Sequence, residues 1–389
     1  QITNKSFLRI RFCIFARPFL FKAKILKRII FTVTNDLTYD QRMKRICHTL
    51  ATAGYDVTLV GRRLPSSVAL TKEDYKQKRI RCRFHRGKWF YAEYNIRLFF
   101  YLLFRRMDAV CAIDLDTIMP CLRVSQIKKI HRIYDAHEFF TELKEVISRP
   151  SIHKRWLQIE KKSVPKFKWG YTVSESIALE FKKRYGVGYA TIRNVPLLFE
   201  AMEPRPATEK FILFQGAVNE ARGFEYLIPA MKEVPYKLVI CGDGNFMPQL
   251  KALIKENHLE NQIELKGMLL PDELVPIARQ ATIGIGLAEK QGLNQYLALP
   301  NKFLDYIHIG LPQISMNYPE YAKINHQFEV AVLLDDLQPQ SIAKAINDLM
   351  QDDNRRKQMQ QQCMIARKEL NWQHESKKLI DFYKQIFTA

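Results

Sequence analysis

The chain has no pair of cysteines at C-x-x-C spacing. Its seven cysteines, at positions 13, 47, 82, 111, 121, 241 and 363, are scattered and odd in number. That argues against a disulfide framework or a zinc site and suits free, mostly buried thiols in a reducing compartment. Nowhere is there an uninterrupted apolar run approaching the ~20 residues that span a bilayer. The most apolar stretch, Arg97 to Arg105, is bracketed by arginines. The opening, Phe7 to Arg28, mixes Phe, Leu and Ile with Arg and Lys and lacks the apolar core and small-residue cleavage site of a signal peptide. Residues 1–26 therefore read as a basic arm suited to lying on an anionic membrane. Internal repeats, low-complexity tracts and a recognisable nucleic-acid module are all missing, so nucleic acid is not expected as a partner.

Acids are scarce in one half only. Residues 1–200 hold 40 Lys and Arg against 17 Asp and Glu, whereas residues 201–389 hold 21 against 23. The net charge of +21 thus comes from the first half, which is expected to face something anionic. At 389 residues the chain suits two α/β domains.

The pattern is that of alternating strands and helices. Residues 27–34 read as a buried strand, Gln41 to Ala53 as a helix with Met43, Ile46 and Leu50 on one face, and residues 55–60 as the next strand, which makes a β-α-β unit. Further strands are expected at 109–113, 132–134, 170–173 and 190–192, with a helix from Ser176 to Tyr185. Polar residues gather where the strands end: Asp114-Leu-Asp116, Asp135-Ala-His-Glu138 and Ser174-Glu-Ser176. In an open α/β sheet that edge binds ligands. Residues 196–209, with three prolines, suit a linker. A second series then has strands at 211–214, 236–241, 263–265, 281–285 and 313–315. Helices lie between them, and the tail from Ser341 to Phe387 is mostly helical.

Three segments of this second series belong together. Gln215-Gly-Ala-Val-Asn-Glu-Ala-Arg222-Gly223 follows a strand and opens a helix, Cys241-Gly-Asp-Gly244 follows the next strand, and Leu299-Pro-Asn-Lys-Phe-Leu-Asp305 precedes Gly310-Leu-Pro312. Glycine allows close approach of a ligand to backbone, and a helix N-terminus offers free N–H groups to a diphosphate. Arg222 and Lys302 add positive charge, and Asp305 can accept from ribose hydroxyls.

In order and spacing these segments resemble the donor domain of retaining GT-B glycosyltransferases, the large family numbered four. The resemblance runs from about Lys27 to about Phe387 and takes in Asp135-Ala-His-Glu138 and Tyr171 to Ser176 of the first half. It implies an α/β GT-B fold, two doubly wound Rossmann-like domains facing a cleft. The expected domains are an acceptor domain over 27–200, a nucleotide-sugar domain over 201–370, and a terminal helix, 371–389, packing back on the first. Gly216, Gly223, Gly242 and Gly244 match the family's donor-binding glycines. Arg222 stands for its diphosphate lysine. Ala217 replaces its arginine, Asp305 its second glutamate and Leu297 its first, which leaves the donor sugar open. Glu289 or Asn294 is the nearest replacement for that lost carboxylate.

A cation at Lys302 opposes the helix dipole at its own N-terminus by about 0.3–1 kcal/mol, a conflict that a bound anion removes. Asn301 and Lys302 are therefore expected to take over from the missing arginine. The resemblance also makes His137 the residue nearest the reacting sugar, with Glu138 beside it orienting it or binding acceptor hydroxyls. Asp114 and Asp116 form a D-x-D sequence for which acceptor binding or loop capping is expected ahead of metal binding. Asn35, Asp36 and Arg42 follow the first strand and are acceptor-side candidates. No cofactor or metal is expected beyond the nucleoside-diphosphate sugar itself. The implied reaction is sugar transfer with retention to a glycan or polyprenyl-linked acceptor at the inner face of a membrane, in polysaccharide or lipopolysaccharide assembly. A catalytically silent nucleotide-sugar-binding relative and a nucleotide-sugar 2-epimerase remain the alternatives.

Overall fold

A computed structural model describes residues 26–38, 40–199 and 209–388. The expected arm (apart from Leu26) and residues 200–208 of the expected linker lie outside them.

Two parallel sheets form the molecule. The first joins β1 (Arg28–Thr32), β2 (Asp56–Arg63), β3 (Lys76–Arg81), β4 (Ala109–Ile113), β5 (His131–Ala136), β6 (Trp169–Thr172) and β7 (Ala190–Thr191) in the order β3-β2-β1-β4-β5-β6-β7. The second joins β8 (Phe211–Gln215), β9 (Lys237–Cys241), β10 (Ile263–Gly267), β11 (Ile283–Gly286), β12 (Gln313–Met316) and β13 (Ala331–Leu334) in the order β10-β9-β8-β11-β12-β13. Every pairing is parallel. Central strands such as β4 (Ala-Val-Cys-Ala-Ile) are buried along their whole length, as helices on both sheet faces require. The strand order reverses between β1 and β4 and again between β8 and β11. The crevices beyond those strand ends are where a doubly wound sheet receives ligands.

Helix boundaries follow the sequence closely. Asp40 Oδ1 accepts from the Met43 N–H and starts the helix Gln41–Thr52, which buries Met43, Ile46 and Leu50. Ser174 likewise caps the helix Glu175–Tyr185, and Gly186 ends it in the left-handed conformation. Apart from the helices Ile118–Lys128, Pro150–Ser163, Pro271–Gln280 and Pro319–Phe328 and a few short helical turns, three elements have no counterpart in the sequence pattern. β3, Lys-Gln-Lys-Arg-Ile-Arg, is a charged edge strand that buries only Ile80. The others are β13 and the 17-residue helix Gly87–Leu103.

The last helix, Trp372–Thr388, crosses back to the first domain. Its indole Nε1 donates to Thr49 Oγ1 at 3.0 Å, and Tyr383 packs 6.1 Å from the Phe31 ring. The direct seam between the domains combines apolar packing of Leu293, Leu297 and Ala298 on the first-domain core with polar contacts. Asn294 Oδ1 accepts from the Phe139 N–H at 2.7 Å, Ser174 Oγ donates to the Leu297 carbonyl at 2.8 Å, and Glu320 accepts from both the N–H and the hydroxyl of Ser176.

Candidate functional site

On the first domain, β1, β4 and β5 end side by side and bring Thr34, Asp114, Asp116 and His137 together. Asp114 has a positive φ of 51°, a conformation in which a non-glycine residue is uncommon. Its Oδ1 accepts from the backbone N–H groups of His137 and Glu138, at 2.9 and 3.3 Å, and so holds the β5 loop. Asp116 accepts from Thr34 Oγ1 through one oxygen, while its other oxygen is buried without a hydrogen-bond partner. The His137 Nε2 atom lies 3.1 Å from Asp135 Oδ2.

Burial and like charge shape the ionisation here. Burial pushes Asp114 up to about 8, opposed by His137 and reinforced by Glu138, Asp116 and Asp135. Burial likewise raises Asp116 to about 6, against the hydrogen bond from Thr34. For His137 burial acts downward and is the largest single effect, but the charge and hydrogen bond of Asp135 together with the charge of Asp114 outweigh it, and the imidazole is raised above its ordinary value.

Arg42 does not line the acceptor side, where the sequence placed it. Its guanidinium is buried beneath the site, donating to Asp135 Oδ1 at 2.9 Å and to the Ile192 carbonyl at 3.1 Å. Burial opposes its charge, yet Asp135 holds it above its usual range, and Asp135 is held below its own. Arg42, Asp135 and His137 thus form a chain in which Arg42 acts through Asp135 on the imidazole. Asn35 and Asp36 fold their own loop. They accept from the N–H groups of Leu37 and Thr38, and Asn35 also donates to Asp40 Oδ2 at 2.6 Å. These local bonds shape the turn that follows β1.

On the second domain, the β8 loop carries Gly216, Arg222 and Gly223. Gly216 has a φ of 118°, and a Cβ there would meet the Lys302 side chain at 3.7 Å, an ordinary van der Waals contact, so the Gly216 backbone lies beside that side chain. Gly242 and Gly244 are closely packed. A Cβ on Gly242 would stand 1.8 Å from the Gly216 carbonyl oxygen, and one on Gly244 2.3 Å from that of Val218. The close stacking of the two strand-end loops by itself requires glycine at both positions. Gly223 opens the helix Phe224–Ala230 at a φ of 74°, with Leu287 too close for a Cβ.

The helix Asn301–His308 begins beside Gly216. Lys302 lays its ammonium 3.7 Å from the centre of the Phe214 ring. Neither Lys302 nor Arg222 forms a hydrogen bond or ion pair with the described residues. Burial, then the charge of Arg222, depress the Lys302 ammonium well below its ordinary value, with Asp305 opposing. Asp305 accepts from Gln215 Nε2 at 3.2 Å and is raised by burial to about 6, with Arg45 of the first domain opposing. Asn301 accepts from Asn194 Nδ2 of the first domain at 2.8 Å. Glu138 is raised by burial, with His137 and Arg222 opposing, so the acidic wall and the cationic pair sense one another across the cleft.

The remaining candidates lie at the seam. Leu297 packs its side chain against the first-domain core. The Asn294 carbonyl oxygen is taken by Phe139, and the Glu289 carboxylate accepts from Gln291 at 2.6 Å. Among the described residues no group of three or more His, Cys, Asp or Glu is placed to hold a metal ion. Phe214, the ring under Lys302, escaped the sequence reading because an aromatic in a buried strand has the pattern of core alone.

Residues 199–363 match the family model described as Glycosyl transferases group 1. A search of curated proteins finds no match. Among solved structures, sucrose-phosphate synthase from Thermosynechococcus elongatus is 14% identical with a TM-score of 0.78, over 93% of this chain and all of that one. Anabaena Alr3699/HepE in complex with UDP and glucose is 12% identical with a TM-score of 0.68, over 92% of this chain and 99% of that one. The lipopolysaccharide outer core galactosyltransferase WaaB is 11% identical with a TM-score of 0.63, over 93% and 99%. At these identities the likeness is one of fold. The chain accordingly has the GT-B fold, and its residues 199–363 are similar to the glycosyl transferases group 1 model.

Proposed function

We propose that this protein is a glycosyltransferase that moves a sugar from a nucleoside-diphosphate sugar to a glycan or polyprenyl-linked acceptor, with retention. The observation that carries this reading is the pair of cations, Lys302 and Arg222, which form no ion pair with the described residues and stand beside the Gly216 backbone. Two adjacent cations in a partly buried cleft repel each other, and a diphosphate between them relieves both that repulsion and the depressed ionisation of Lys302. Asp305, next to them, is placed to accept from ribose hydroxyls. The HepE complex with UDP and glucose supports this class of donor.

In the reaction, the bond from the anomeric carbon to the diphosphate oxygen breaks and a bond to the acceptor oxygen forms on the same face. The acceptor proton passes to the departing diphosphate. Negative charge grows on the diphosphate in the transition state, and preorganised cations stabilise it there more than in the ground state. The reading keeps catalysis free of metal and gives the charge stabilisation to Arg222, Lys302 and backbone N–H groups. His137, oriented by Asp135, faces the sugar. Assembly of cell-surface polysaccharide or lipopolysaccharide at the cytoplasmic face of the membrane is the proposed setting, and WaaB supports it.

A second reading, a binding protein that does not turn over, is favoured by Leu297. Where the resembled family has a sugar-binding glutamate, this side chain is committed to the domain seam. The test is a thermal shift against a panel of nucleoside diphosphates and their sugars, with and without magnesium, followed by turnover assays with whichever donor binds. A ligand at 100 times its dissociation constant stabilises by about 2.7 kcal/mol. Stabilisation with turnover supports the transferase, stabilisation without turnover supports the second reading, and no stabilisation defeats both.

A further inference from the structure

Apart from Arg45, which senses Asp305, and Arg62, which senses Asp116, the basic surplus of the first domain is not concentrated at the cleft. The cleft wall there is carboxylate-rich, with Asp114, Asp116, Asp135 and Glu138 around one histidine. The charge gathers instead at the outer edge of the sheet, around β3 and the helix Gly87–Leu103. Residues 76–106 contain ten Lys or Arg and a single acid, Glu93. That acid is already occupied, accepting from the N–H groups of Arg83 and Phe84 and from Arg97 Nε.

The same helix is apolar on two opposite faces. Phe90, Tyr94, Leu98 and Leu102, spaced four apart, are buried in the domain core. On the other side Trp89, Ile96, Phe100 and Phe104 are 61%, 58%, 53% and 80% exposed. At 100° per residue these four fall within a stripe roughly 80° wide. Phe84, also exposed, lies 6.3 Å from Trp89. A groove of about 990 Å³ runs between this helix and β3. Ile96, Phe100 and Tyr101 line one side of it, and Lys78 and Arg81 of β3, with Arg63, line the other.

Large apolar side chains aligned on a surface mark a docking face. An apolar stripe flanked by cations matches the boundary layer of an anionic bilayer, where the rings enter the acyl region and Lys or Arg meet phosphates. We propose that this face docks the protein on an anionic phospholipid surface. Trp89, Ile96, Phe100 and Phe104 enter the interface, and the cations of β3 bind the headgroups. Charge argues against the other occupants. A second copy of the chain would bring like charge to like, and residues 1–25 carry six Lys or Arg and no acid. The surface deepens the functional reading by giving the place where a lipid-linked acceptor is met, but its test needs neither donor nor acceptor.

The experiment is co-sedimentation of the full chain with vesicles of phosphatidylcholine alone and of phosphatidylcholine mixed with phosphatidylglycerol. Binding is expected to the mixed vesicles and to weaken with added salt. Phe100→Glu should reduce it by about tenfold or more, and Arg81→Glu by at least about fivefold, since one cation is removed and an anion added. Both residues are on the surface away from the cleft, so nucleotide affinity should be unchanged, which separates failure here from failure of the donor site. Trp89 emission should shift to the blue on binding, a change absent in Trp89→Phe. Absence of binding to mixed vesicles, or full binding by both Phe100→Glu and Arg81→Glu, overturns the proposal. So does binding that these substitutions spare and removal of residues 1–25 abolishes, or a self-association that Phe100→Glu dissolves.

Discussion

The Lys302 ammonium rests 3.7 Å from the centre of the Phe214 ring, with no carboxylate at ion-pair distance. A lysine in a cleft that is neither paired nor free in water is a destabilised cation. A cation–π contact returns only about 0.5–2 kcal/mol. Lys302→Ala should therefore raise the melting temperature of the ligand-free protein while weakening nucleoside-diphosphate binding by about 10- to 100-fold, the range for a lost charge-assisted hydrogen bond. Arg222→Ala should weaken binding by a similar factor. Calorimetric titration beside thermal denaturation reads both effects, and unchanged affinity in both variants would remove the diphosphate site.

Proton linkage gives an independent measurement. Burial and Arg222 lower the Lys302 pKa in the free protein, and a bound diphosphate raises it again. Binding should then take up a proton. Affinity should fall as pH rises through the window between the free and bound values. Titrations in buffers of different ionisation enthalpy give the proton count directly, and Lys302→Ala should abolish it.

The Arg42–Asp135–His137 chain separates stability from catalysis. Arg42→Met leaves the buried Asp135 carboxylate with His137 as its one charged partner and should cost up to about 3–5 kcal/mol in urea unfolding. His137→Ala removes a half-buried side chain at the cleft and should leave nucleotide affinity unchanged while lowering kcat by about 10²-fold, as for loss of one charge-stabilising group. Equal losses of folding and activity in both variants would mean that the histidine is structural only.

Asp114 sets a pH dependence on folding. Its carboxyl is raised from 3.8 to about 8 by burial, so the folded protein holds this proton where the unfolded chain has released it. The stability it contributes is fully present below about pH 4 and is lost as pH rises towards 8. Asp114→Asn keeps an acceptor for the His137 and Glu138 N–H groups but cannot ionise. The stability difference between Asp114→Asn and the parent should widen in favour of the variant from pH 5 to pH 8, read from melting temperatures across that range.

Sequence pattern revealed the donor side better than the acceptor side. Gly216, Arg222, Lys302 and Asp305 lie within strand-turn-helix segments, where local spacing places a side chain at a sheet edge, and the structure brings these four together. Arg42 was misplaced because its position depends on Asp135, 93 residues away, and no local period reports such a pairing. The local sequence gives no sign that Gly242 is also packed against a second loop, whose Gly216 carbonyl occupies the space a Cβ would need. The helix Gly87–Leu103 shows no helical period because it is apolar on opposite faces, and β3 shows no alternation because lysine and arginine fill it. Those two silent elements are the ones that form the exposed basic face.

The helix Trp372–Thr388 supplies Phe382, Tyr383 and Ile386 to a core that also contains Phe31 and Tyr171. These residues leave the ribosome only after every strand of the second sheet has been made. During synthesis the first domain therefore waits with part of its core uncovered, while the second domain already has all its strands. A nascent chain halted before Trp372 should expose that core to chaperones and proteases, so the order of folding in the cell is expected to run from the second domain to the first.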